Sequence, residues 1–174
     1  MSLNNQLSTL ENSGLIRLLS VQPSVDYIFR HALIQEAAYR SLTKGDRVDL
    51  HRVVGQTIEQ LYPDRTGSPD LAARLAQHFD QAGAAERALH YYTLAGDAAY
   101  DSFANLEAID QYTHAIKIAA HTPALTDSAQ LIQLYTRRGR ALEHSGFYER
   151  ARDNYADMQQ TAQQRADRSM ELAA

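Results

Sequence analysis

The chain has 174 residues, which suits one domain or one domain with a small appendage, and its net charge of −4 argues against a broad phosphate-binding face. Because it contains no cysteine, disulfides, Cys-based zinc sites and thiol nucleophiles are excluded. No apolar run approaches the roughly 18 residues of a membrane span and no signal sequence opens the chain, so we expect a cytoplasmic protein with no membrane partner.

The N-terminal segment predicts a short helix followed by a small β-hairpin. Residues 4–14 have helical spacing of leucines and end at Gly14, a residue typical of helix C-termini. Two β-prone runs follow, residues 15–19 and 25–29, separated by a proline-bearing turn. They are the only strand signal in the sequence.

From His31 onward the apolar spacing is helical, which predicts an all-α fold of about seven helices beyond the N-terminal helix and hairpin. Glycines at 45, 83 and 146 are expected to end helices, and Asp46 is expected to cap the one that follows it. The predicted helices span residues 31–43, 46–61, 69–83, 85–100, 104–120, 129–144 and 148–164.

Two stretches of the C-terminal half repeat each other at a distance of 43 residues. In each, a glycine inside a helix is followed 12 residues later by an alanine, and that alanine four residues later by a tyrosine. A glycine inside a helix costs about 1 kcal/mol of helix propensity, which is acceptable where two helices approach closely. The two copies read Tyr92-x2-Ala95-Gly96-x2-Ala99…Ala108-x3-Tyr112 and Tyr135-x2-Arg138-Gly139-x2-Leu142…Ala151-x3-Tyr155.

This pattern resembles the tetratricopeptide repeat, a hairpin of two helices that stacks into a solenoid. The resemblance is degenerate: Arg138 occupies a position where leucine is usual, and about nine extra residues fall in the 121–129 connection. We prefer the helix pairs 46–61/69–82, 85–100/104–120 and 129–144/148–164. An alternative phasing stays open, because the Ala88-x3-Tyr92 spacing would make 85–100 the second helix of an earlier pair.

A second resemblance covers about residues 7–100. Segments such as Tyr27-x-Phe29-Arg30-His31-Ala32-Leu33-Ile34 and Leu75-Ala76-x-His78-Phe79 look like the junction between winged helix and helical repeats in large bacterial signalling ATPases of the STAND class. That class includes maltose-activator-like regulators and multidomain nucleotide cyclases. The resemblance implies a winged-helix remnant at 1–30, linking helices at 31–84, two degenerate repeats at 85–164 and a tail at 165–174. It also implies an upstream ATPase domain. That domain does not lie within these residues, because no G-x-x-x-x-G-K-[ST] motif occurs in them.

No catalytic, cofactor-binding or metal-binding residues are predicted. The seven histidines form neither H-E-x-x-H nor any i, i+4 pair, and no nucleophile elbow is present. The tetratricopeptide resemblance instead implies a partner-binding groove on the first helix of each repeat. Its positions correspond here to His90, Thr93, Asp97, Tyr100, Asp101, Gln133, Thr136, Arg140, Glu143 and His144.

We therefore expect a regulatory sensor module for protein–protein interaction, without catalysis of its own, within a larger signalling ATPase or transcriptional regulator. The expected partner is another protein chain or the ATPase domain of the parent, and an exposed terminal repeat would also allow a homodimer. The alternative is a DNA-binding regulator that uses the N-terminal winged-helix element. Residues 1–16 contain no Lys or Arg, however, so DNA binding through this chain is disfavoured.

Overall fold

In the computed structural model, which describes residues 2–20 and 26–174, the regular structure is helical apart from one antiparallel β-hairpin. The predicted all-α class with a small N-terminal hairpin is therefore confirmed. The contacts divide the chain into two units, Met1–Arg47 and Val48–Ala174. The domain boundaries that we predict after residues 30, 84 and 164 stay predictions.

The first unit consists of short elements around one buried side chain. Strands β1 (Ile16–Ser20) and β2 (Asp26–Phe29) pair with Ile16 opposite Phe29, and the register shifts between Leu18 and Ser20. Ile16 is the one buried hydrophobic residue among residues 2–20 and 26–47. Most of the predicted turn between the strands lies outside the described residues. The elements of this unit are α1 (Leu3–Asn12), β1 (Ile16–Ser20), β2 (Asp26–Phe29) and α2 (Ala32–Ser41), followed by the start of α3 (Lys44–Leu61).

The prediction that Gly45 ends one helix and Asp46 caps the next is wrong, since both residues lie inside the first turn of α3. The cap is instead Thr43, whose hydroxyl accepts a hydrogen bond from the Asp46 amide at 3.1 Å. The Asp46 carboxylate in turn accepts from the Thr43 amide at 3.3 Å. This reciprocal pair satisfies two amides that the helix start would otherwise leave without partners.

From residue 69 onward, the second unit is a series of helices in which each packs on the next. Helix α5 (Ala85–Asp101) packs about equally on α4 (Pro69–Gln81) and α6 (Asn105–His121), so the two phasings of the repeat describe one continuous stack. The stretch 165–174, predicted as a tail, contains a further short helix whose Met170 is fully buried. After α3 the elements are α4 (Pro69–Gln81), α5 (Ala85–Asp101), α6 (Asn105–His121), α7 (Ser128–His144), α8 (Tyr148–Arg165) and α9 (Arg168–Ala173), with 3-10 turns at Pro63–Arg65 and Pro123–Leu125.

Glycine is needed where the second helix of a hairpin crosses the first. A Cβ at Gly96 would lie 2.7 Å from Tyr112 Cε1, and one at Gly139 would lie 2.5 Å from Tyr155 Cζ. Both distances are too short for any real side-chain atom, so the glycines let each tyrosine ring rest on helix backbone. The glycine–tyrosine spacing read from the sequence is thus a packing signal.

Four turns between consecutive helices share one backbone form. A residue at positive φ, namely Gly83 (67°), Phe103 (60°), Gly146 (75°) or Ala166 (52°), ends the first helix. In each case the next amide donates at 2.9 Å to the carbonyl five residues earlier. This is the Schellman arrangement, in which the left-handed position normally holds glycine. Phe103 and Ala166 are therefore strained exceptions, and the Phe103 side chain is 81% exposed.

Candidate binding cleft

A cleft of about 410 Å³ lies between α5 and α7 and is closed at one end by the connection that precedes α7. Its α5 side is a stripe of residues at helical spacing, since positions 86, 90, 93 and 97 fall on one helix face. The lining residues are Glu86, Leu89, His90, Thr93, Leu94 and Asp97 from α5, Leu125 and Thr126 from the connection, and Gln130, Gln133 and Leu134 from α7.

The connection of residues 122–127 forms the end wall of the cleft and is held in place by Arg165, the last residue of α8. Its guanidinium donates to the Thr126 carbonyl at 3.1 Å and to the Pro123 carbonyl at 3.0 Å. A third bond, at 3.3 Å, reaches the Thr126 hydroxyl oxygen. Arginine suits this task because its planar fork presents several donors in fixed directions. The wall is therefore an ordered part of the cleft.

Asp127 ends the wall and begins α7. Its carboxylate accepts from the Gln130 amide at 2.8 Å, and the Gln130 side-chain oxygen accepts from the Asp127 amide at 3.1 Å. This capping box uses the oxygen of the Gln130 amide group. The NH2 of that group is a separate donor on the cleft lining.

Asp97 connects three helices at the other end of the cleft. The Tyr112 hydroxyl on α6 donates to Asp97 Oδ1 at 2.7 Å, and Arg137 Nη1 on α7 lies 2.9 Å from the same oxygen. Burial, followed by the hydrogen bond to Asp97, raises the pKa of the Tyr112 hydroxyl, so tyrosine stays the proton donor. Asp97 is fixed in position, and neither of these contacts uses Oδ2.

The structure brings four of the ten predicted groove residues into this cleft: His90, Thr93, Asp97 and Gln133. The other six are Tyr100, Asp101, Thr136, Arg140, Glu143 and His144, and they do not line it.

Tyr100 and His144 lie farther along the same two helices, where their ring centroids are 6.3 Å apart. Asp101 approaches Arg137 Nη1 at 3.9 Å. Arg140 and Glu143 lie near Tyr155. Burial raises the pKa of that tyrosine, and so do the negative charge of Glu143 and the hydrogen bond that its carboxylate accepts from the tyrosine hydroxyl. Thr136 is half-buried.

Several lining or supporting residues are absent from the sequence prediction. Glu86 could have been found, because it continues the stripe of His90, Thr93 and Asp97 by one turn. Leu125 and Thr126 could not, since nothing local indicates where an inserted connection folds. Arg137 on α7 pairs with Asp97 on α5, whereas the tetratricopeptide resemblance implied Arg140 as the groove residue.

The histidines supply one close pair. His51 Nδ1 and His78 Nδ1 lie 3.0 Å apart, so one ring donates and the other accepts. Burial lowers the pKa of both rings, because a charged ring would be desolvated, and at His78 the positive charges of His51 and Arg74 lower it further. No group of three or more metal-ligating side chains occurs in residues 2–20 and 26–174.

Comparisons with known proteins leave the function open. No family model matches the chain, and no solved structure matches it. An uncharacterised protein of Rhizobium meliloti (strain 1021) is 29% identical over 133 residues. The match covers 76% of this chain and 13% of that protein, so the relative is several times longer. Within the described part of the chain, no helix is both long and apolar enough to cross a bilayer.

Proposed function

We propose that this chain is a protein-interaction module that serves as the regulatory sensor of a larger cytoplasmic signalling protein, with no catalysis of its own. The observation that carries the proposal is the α5–α7 cleft, which four of the residues implied by the tetratricopeptide resemblance line. Clefts of this size between helices, with an apolar floor and a few polar groups, are typical binding sites.

The much longer relative fits the same proposal. The matched segment makes up only 13% of the Rhizobium meliloti protein, as expected of one module among several. The signalling ATPases that residues 7–100 resemble are built in this way, and their repeats would contact a partner protein or the ATPase domain of the same chain. We do not propose DNA binding, because α1 carries no basic residue with which to contact phosphates.

The test is a selection of random linear peptides displayed against the purified chain. We expect specific sequences to be enriched, and Gln133→Arg to abolish their binding, because a long charged side chain would occupy the cleft. Gln160→Arg is the matched control, since Gln160 is also an exposed glutamine within a helix but lies on α8. Circular dichroism should show that both variants keep their helical content. The cleft would be ruled out as the binding site if both variants lost binding equally, or if the enriched peptides bound the Gln133→Arg chain as well as the unmodified one.

A further inference from the structure

We infer that the cleft accepts an extended peptide segment in which an apolar side chain is flanked by lysine or arginine. The inference rests on the proposed function and names the chemical class of the partner. It uses the end wall formed by residues 122–127, which the two-helix repeat unit alone would not provide.

The floor of the cleft is apolar and comes from three elements. Leu89 is 8% exposed and Leu134 is 2% exposed, while Leu94 and Leu125 are half-buried beside them. Four leucines around one space favour an apolar side chain, because its burial removes surface from water on both partners. The wall residue Leu125 closes the space at one end.

The charges around this floor are acidic. Glu86 and Asp97 are the two carboxylates of the lining, which contains no lysine or arginine. His90 is the third titratable group, and Arg137 stands behind Asp97 at 2.9 Å and weakens its field. Glu86 is exposed, whereas Asp97 is half-buried and paired with Arg137, so the attraction for a cation is greatest at Glu86. The same acidic lining repels nucleic-acid phosphates.

The length of the cleft sets the length of the segment. Glu86 and Asp97 are eleven residues apart on one helix, about 16 Å at 1.5 Å per residue. An extended chain rises about 3.3 Å per residue, so roughly five residues span this distance. Gln130 and Gln133 border the path. Gln130 can donate to a peptide backbone through its NH2, and Gln133 can both donate and accept. The geometry therefore fits a basic residue beside Glu86, with the apolar residue two or three positions along.

The experiment measures the affinity of labelled synthetic peptides for the full chain by fluorescence anisotropy. One peptide carries the consensus from the display selection, and a second has each of its lysines and arginines replaced by glutamate. We expect the first to be basic and apolar, to bind more weakly as salt rises, and to lose two- to fivefold in affinity with Glu86→Gln. The glutamate peptide should not bind. Glu107→Gln is the control, because Glu107 occupies the first turn of α6 as Glu86 does that of α5, yet lies outside the cleft.

The outcomes separate this inference from the proposed function. An acidic or uncharged consensus, or affinity unchanged by Glu86→Gln while Gln133→Arg still abolishes binding, overturns the partner class and leaves the cleft as a binding site. A consensus that binds the Gln133→Arg chain as well as the unmodified one overturns both. If Glu107→Gln lowers the affinity for basic peptides as much as Glu86→Gln does, the peptides respond to the net charge of the chain alone. That result also overturns the inference.

Discussion

Replacing Gly96 by alanine tests the packing that places α5 against α6. On an exposed helix the change would stabilise the protein by about 1 kcal/mol, because alanine has the higher helix propensity. Here the new Cβ would lie 2.7 and 2.8 Å from two ring carbons of Tyr112, a side chain that is fully buried. The ring has no room to retreat, so the propensity gain must be set against a steric cost.

The expected sign follows from the sizes of the two effects. Forcing one extra carbon into a packed core costs about 1–3 kcal/mol. Moving the ring would also strain the 2.7 Å bond from the Tyr112 hydroxyl to Asp97, and bonds to charged groups contribute about 1.5–3 kcal/mol. We therefore expect Gly96→Ala to lower the free energy of unfolding by about 1–3 kcal/mol net.

The assay is urea denaturation followed by far-ultraviolet circular dichroism, with Gly45→Ala as the control. A Cβ at Gly45 would meet only the Thr43 hydroxyl at 3.8 Å, so that variant should gain up to about 1 kcal/mol. In a Tyr112→Leu background, the penalty of Gly96→Ala should shrink, because leucine can adjust its position. If Gly96→Ala stabilises as much as Gly45→Ala does, the close crossing of α5 and α6 is refuted.

Three further predictions concern the histidine pair, the strained turn and the cleft wall. Burial lowers the pKa of His51 and His78 below the ordinary 6.5, so near that pH the unfolded chain binds more protons than the folded chain. The free energy of unfolding should therefore fall as the pH drops through and below that value, and urea titrations at several pH values measure this. Phe103→Gly should raise the free energy of unfolding by about 0.5–1 kcal/mol, because it relieves a left-handed φ of 60° at an exposed side chain; the urea midpoint reports it. Arg165→Gln should speed hydrogen exchange across residues 122–127 by removing the bonds that hold the wall, with a global loss of about 1 kcal/mol.

Each of the three has a control and a contrary result. A His51→Gln chain should lose less stability on acidification, and an unchanged pH profile would mean that the pair carries no linkage. Phe103→Asn should stabilise like glycine, since asparagine tolerates the left-handed region, and destabilisation by both would show that the ring packs on the protein. Arg168→Gln removes an exposed arginine just beyond α8; if it affects exchange as much as Arg165→Gln, the specific bonds are not responsible.

The sequence predicted the helices of the second unit closely because their boundaries have local causes. The predicted spans 85–100 and 129–144 differ by one residue from α5 and from α7. Gly83 and Gly146 supply the positive φ that ends α4 and α7, and apolar spacing identifies the buried faces. The crossing of Gly96 under Tyr112 is likewise visible as a spacing.

The parts that could not be predicted depend on contacts between distant residues or on competition between neighbours. Phe103 forms a glycine-type turn without glycine, so composition gives no sign of it. The cleft wall depends on Arg165, which follows Thr126 by 39 residues and has no local feature in common with it. Thr43, rather than Asp46, caps α3, because the Thr43 hydroxyl accepts from the Asp46 amide and the Asp46 carboxylate accepts from the Thr43 amide. Periodicity alone does not show that Arg137, rather than Arg140, pairs with Asp97.

The anchoring of the wall by Arg165 couples the cleft to the C-terminal end of the chain. If a ligand in the cleft strengthens the hydrogen bonds of Arg165, order in the last turn of α8 strengthens binding by the same free energy. A ligand that orders the wall should slow amide exchange at the end of α8, far along the sequence from every residue that it touches on α5. Conversely, a partner that docks on α9, which packs on α7 and α8, would alter the affinity of the cleft without entering it. A peptide bound in the cleft and a partner bound at α9 would thus each change the affinity of the other through Arg165.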